Sequence, residues 1–102
     1  MGACQFEHWG FGKTAKEAFK QAYDEACYDY GHAGYTGTLA EKDSFIVIEM
    51  PSGLDKDDND VVEEFARKLI DDDDERIDDK WGDAGCIKGK DDSYLFFGWA
   101  SE

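Results

Sequence analysis

The feature that most constrains the fold is a helix carrying its own start and stop signals. Thr14-Ala15-Lys16-Glu17 has the spacing of a capping box, with the threonine hydroxyl accepting from the third helical N–H and the glutamate reaching back to the start. Behind it Ala15, Ala18, Phe19, Ala22, Ala26, Cys27 and Tyr30 recur every three or four residues. The stripe is built mostly from small residues, which let a helix lie close against a sheet. Gly31 stands where a left-handed residue closes such a helix.

A helix of this kind needs a sheet, and strand-like runs lie on both sides of it. In Ala3 to Gly12, Cys4, Phe6 and His8 alternate with Gln5, Glu7, Trp9 and Phe11, so both faces carry aromatics and both are expected to be partly covered. Gly10 and Gly12 are expected to end or bend this strand. Thr36 to Ala40 reads as a short strand, and Phe45 to Met50 as a continuous apolar run suited to a central buried one, stopped by Pro51-Ser52-Gly53. Near the end, Trp81 to Ile87 and Tyr94 to Ala100 flank a polar turn and read as a hairpin.

Between these lies a second helical pattern. Asp60-Val61-Val62-Glu63 begins it, and Val62, Phe65, Ala66, Leu69, Ile70 and Ile77 supply a buried face. The resulting order is βα(β)βαββ. It predicts one α+β domain over residues 1–102, with an antiparallel sheet of four or five strands and both helices on one face, in a variant of the ferredoxin-like arrangement. At 41% hydrophobic and 15% aromatic residues the chain can fill such a core, which a disordered acidic chain could not.

Charge is the second constraint. Of 25 acidic residues, 14 fall between Asp55 and Asp83, where only five bases accompany them, and the formal net charge of the chain is −14. Such a balance disfavours direct binding to nucleic acid or anionic lipid and favours a basic protein partner. Asp60, Glu64, Arg67, Asp71, Asp74 and Asp78 follow one helical period. Carboxylates three or four residues apart on a helix are about 5–6 Å from each other, comparable to successive phosphates on one strand. Asp71, Asp72, Asp73, Asp74, Asp78 and Asp79 are therefore the primary candidates for pairing with lysine and arginine, and Asp57, Asp58, Asp60 and Glu64 extend the surface. Four successive aspartates oppose the dipole at a helix C-terminus, so fraying there is the competing expectation. The competing account of the charge as a whole is a solvated, solubilising face.

The remaining motifs carry less. Asp55 to Asp60 begins like a calcium loop, but Asp60 stands where the turn glycine belongs and Ala66 where the bidentate glutamate belongs, so no metal site is expected. The Gly31/Gly34/Gly37 segment lacks the GK[ST] of a phosphate loop and follows a helix instead of preceding one. It keeps one alternative open, a nucleotide-sized ligand held by His32, Tyr35, Thr36 and Thr38. Neither His8 nor His32 has a nucleophile motif beside it, and Cys27 lies on the buried helical stripe. No catalytic residue and no cofactor are expected. Three scattered cysteines, the lack of a signal-like segment and the lack of an apolar run of about 20 residues predict a reducing cytoplasm, no membrane span, and a monomer or small homo-oligomer.

Three stretches together resemble a group of small uncharacterised bacteriophage-encoded proteins: GKTAKEAFKQA at 12–22, YGHAGYTGTLAEKDSF at 30–45, and KWGDAGCI with YLFFGWAS between 80 and 101. The resemblance spans most of the chain and transfers no site residue. It implies a host bacterial cytoplasm. By analogy with small acidic phage inhibitors of the anti-CRISPR and anti-restriction kind, it also suggests a host defence complex as the basic partner.

Overall fold

The computed structural model describes residues 3–30, 39, 42, 44–51, 53–55, 57–72, 74–77 and 82–101. Six elements follow in the order β1 (Ala3–Phe11), α1 (Ala15–Tyr30), β2 (Phe45–Val47), α2 (Asn59–Asp71), β3 (Ala84–Lys88) and β4 (Ser93–Ser101). One sheet joins the strands in the order β1-β4-β3-β2. β4 is antiparallel to both β1 and β3, whereas β2 runs parallel to β3.

The α+β class, two helices and four strands agree with the sequence reading; the layering does not. Tyr94 and Phe96 of β4 pack with Ala18, Ala22 and Ala26 of α1. Their neighbours Leu95 and Phe97 pack with Val62, Ala66, Leu69 and Ile70 of α2. Because successive strand residues point to opposite faces, the helices cover opposite sides of the sheet. The arrangement is three-layered and the sheet mixed, in place of the expected antiparallel, ferredoxin-like sheet with both helices on one face. The cause is β4 itself, whose run of successive apolar residues needs a cover on each side. The parallel pair follows from α2, which carries the chain back so that β3 enters in the direction of β2.

The start of α1 is close to the expected capping box. Thr14 Oγ1 accepts from Glu17 N at 3.2 Å, while Glu17 Oε2 accepts from Lys13 N at 3.1 Å, one residue before the expected position. The small stripe allows the expected close approach, and glycine completes it from the other side. A Cβ on Gly10 would lie 2.4 Å from Ala18 O and 2.9 Å from Ala22 Cβ. Gly10 therefore does not end β1, which continues to Phe11.

β2 departs most from expectation. It is an edge strand of three residues, with Phe45 half-buried and Ile46 and Val47 exposed. Ile48 and Met50 are buried under α2 after the strand has ended. Apart from buried Leu39, the expected strand at 36–40 lies outside the described residues. The C-terminal hairpin is close to expectation, closed by Gly89 N to Ser93 O at 2.9 Å and Ser93 N to Lys90 O at 3.1 Å.

Candidate interaction surface

α2 begins one turn of chain after a set of aspartates that serve the backbone first. Asp55 Oδ1 accepts from Asp57 N at 2.9 Å, and Asp58 Oδ1 caps the helix by accepting from Asp60 N at 3.0 Å. Asp55 and Asp58 thus each accept from the backbone N–H two residues further on. Asp57, Asp58, Asp60 and Glu64 are all exposed. On the opposite side Val62, Ala66, Leu69 and Ile70 are buried, which fixes which face of the helix looks outward.

The helix stops at Asp71 and does not extend along the aspartate run. Asp72 N bonds to Lys68 O at 2.9 Å and Asp74 N to Leu69 O at 3.1 Å. Repulsion among the aspartates and the negative end of the helix dipole favour this stop. Asp71 and Asp72 remain exposed at the C-terminal end, about 20 Å from Asp58 for a helix of this length.

The exposed row between these ends is not uniformly acidic. Arg67 forks onto Glu7 of β1, with Nε to Oε1 at 2.9 Å and Nη2 to Oε2 at 3.3 Å, and also lies 3.7 Å from Glu63. The hydrogen bonds and charge of Glu7 raise the Arg67 pKa further above its ordinary value. Lys68 is exposed beside it. Exposed carboxylates thus lie towards both ends of α2, and between them Arg67 and Lys68 offset Glu7 and Glu63. Among the described residues no cation lies within ion-pair distance of Asp57, Asp58, Asp60, Glu64, Asp71 or Asp72.

Asp74 has a different task. It accepts from Arg76 N, Nε and Nη2 at 3.0, 2.9 and 2.8 Å, closing the turn that carries Ile77 into the core. Those bonds hold its carboxyl at a pKa of about 2, below the ordinary 3.8. A depressed folded-state pKa contributes stability that is complete above the ordinary value and is lost as pH falls from there through about 2. Asp74→Ala is accordingly expected to cost about 1 kcal/mol at neutral pH. The difference from the native chain should shrink towards zero in denaturation curves taken below pH 3. Asp73, Asp78 and Asp79 lie outside the described residues, as do His32, Tyr35, Thr36 and Thr38 of the alternative ligand segment.

Among the described residues, His8, Cys27 and Cys86 are engaged or buried. His8 Nε2 lies 3.0 Å from Glu25 Oε1, joining β1 to α1. Cys27 and Cys86 are buried free thiols, and desolvation pushes Cys86 up to about 12, far from a thiolate at neutral pH. Lys42, invisible to pattern reading, is buried with Nζ donating to Gly82 O at 2.9 Å and lying 6.0 Å from the centre of the Phe6 ring. Among the described residues no group of three or more His, Cys, Asp or Glu is placed to hold a metal, and no helix is long and apolar enough to cross a membrane. Comparison with known protein families, with curated proteins and with solved structures finds no match for this chain.

Proposed function

We propose that the protein is a non-catalytic acidic interaction protein of the phage-inhibitor type. Its carboxylates pair with lysine and arginine on a nucleic-acid-binding complex of the host cytoplasm and so block the surface that phosphates would occupy. One observation carries this reading. Six carboxylates around α2 are exposed with no cation within ion-pair distance among the described residues, on a chain of net charge −14. The two groups at the ends of α2 stand about 20 Å apart, about the axial rise of six phosphates on one strand of a duplex. Contacts of this kind accelerate encounter and fix register, and they weaken with salt.

The test is affinity capture from a host lysate at low salt with the native chain and with Asp60→Asn/Glu64→Gln/Asp71→Asn/Asp72→Asn. The native chain is expected to retain a nucleic-acid-binding complex that added DNA or RNA displaces, and the neutralised variant to retain at least tenfold less, equivalent to about 1.4 kcal/mol. Equal recovery by both, or a captured complex that still takes up nucleic acid, would overturn the proposal.

A further inference from the structure

We propose that the open edge of β2, with the cleft beside it, docks an extended cationic segment of the partner. This rests on the preceding reading that the partner is basic. In the β2–β3 ladder, Ala84 N donates to Ser44 O at 3.1 Å and Ile48 N to Cys86 O at 2.8 Å. Residues 44, 46 and 48 therefore turn their backbone groups towards β3. Those of Phe45, Val47 and Glu49 turn away from it. β2 ends the sheet, so among the described residues these outward groups face no further strand. Val47 is 56% exposed and Ile46 is exposed beside it. An open apolar edge is a template for another strand, and native proteins guard such edges.

The chain that follows this edge is acidic, and Glu49 and Asp57 line the cleft beside Val47. Between positions 49 and 60 the chain carries Glu49, Asp55, Asp57, Asp58 and Asp60 against Lys56 alone. A second copy of this chain would bring the same charges against them. A cationic strand would be drawn in instead.

The neighbouring cleft fits the side chains such a strand would bring. It encloses about 470 Å³ at the C-terminal ends of the parallel pair β2 and β3, the end at which open α/β sheets bind their ligands. Val47, Met50, Ile87 and Tyr94 provide apolar lining, and Glu49 and Asp57 are the acidic residues that line it. Lys88 also lines it, but its ammonium is held by Asp91 O at 2.5 Å and lies 5.4 Å from the centre of the Tyr94 ring. An arginine or lysine entering here would lay its stem on the apolar lining and its charge on Glu49 and Asp57. Alternate residues of an extended segment share a side, so the recognised pattern is a cation at every second position.

The probe is a synthetic octapeptide of alternating arginine and valine, titrated into the ¹⁵N-labelled full chain. It is compared with the same peptide N-methylated at alternate residues. The expected result is a shift and slowed hydrogen exchange at the Val47 and Glu49 amides. N-methylation should abolish it, and Val47→Lys, at an exposed position, should weaken binding about tenfold. Equal binding by the N-methylated peptide, shifts confined to Asp71 and Asp72, or Val47 and Glu49 amides already protected in the free protein would each overturn the edge-docking inference. None of these outcomes touches the capture result with the neutralised α2 variant, which tests the basic-partner reading by itself.

Discussion

Phe97→Ala is expected to lower the free energy of unfolding by about 3–5 kcal/mol, seen as a lower urea midpoint with unchanged slope. Phe97 is fully buried in the central strand β4 and packs in the cluster that anchors α2. Its ring also occupies the space of a missing side chain. Gly85 is its cross-strand partner on β3, and a Cβ there would lie 2.6 Å from Phe97 Cζ. Gly85→Ala alone is therefore expected to cost about 1–3 kcal/mol by overpacking. Combined with Phe97→Ala, the new methyl enters the vacated volume, so the double variant should lose less than the sum of the two single losses. Strict additivity would mean that the ring does not fill that space. A domain is stable by about 5–15 kcal/mol, so the single truncation removes a large fraction of what holds α2 and its carboxylates in place.

How much of this was legible in the sequence depends on the range of the interaction. The α1 start was legible because Thr14 and Glu17 act within four residues of each other. The two-faced cover of β1 was legible in its alternation, and His8 and Glu7 do tie to α1 and α2 on opposite faces. The same inference was available in Tyr94 to Phe97, where apolar residues at successive positions exclude one-sided packing. Strand order and direction were not legible, because the parallel β2–β3 pair is decided by how α2 crosses between them. Nor was the edge position of β2, since Ile48 and Met50 resemble strand residues although α2 is what buries them.

The acidic surface was legible in composition and misleading in detail. Helical periodicity placed Asp74 in line with Asp71 and Glu64, but the bond that uses Asp74 spans only two residues, to Arg76, and no wheel reveals it. The charge-paired middle of α2 was equally hidden, because Arg67 meets Glu7 across 60 residues of sequence. This pairing bears on the proposed function. Arg67 bonds to Glu7 and lies 3.7 Å from Glu63, so its charge is spent largely on those two carboxylates, while Glu64 acts on it from farther away.

Gly10→Ala is expected to cost about 1–3 kcal/mol, towards the upper end because the obstructing atoms cannot rotate away. The added Cβ would meet Ala18 O at 2.4 Å, an atom of the α1 backbone, as well as Ala22 Cβ at 2.9 Å. Relief requires α1 to lift from β1. That lift would stretch Phe19 away from Phe96 and Phe45, whose ring centres now lie 5.4 and 5.1 Å from it, and would strain the bonds from Phe11 N to Gln21 and from His8 to Glu25. Near-ultraviolet dichroism and the chemical shifts of the Phe19 ring should report the displacement in the folded state. Ala22→Gly should not rescue the variant, since it removes the methyl contact but leaves the carbonyl, and it costs about 1 kcal/mol of helix propensity besides. Because α2 packs on the opposite face, the contribution of its exposed carboxylates to partner binding should be retained wherever the variant is folded. Docking at β2 should weaken instead, since Phe45 packs on Phe19 and Ala15 lines the neighbouring cleft.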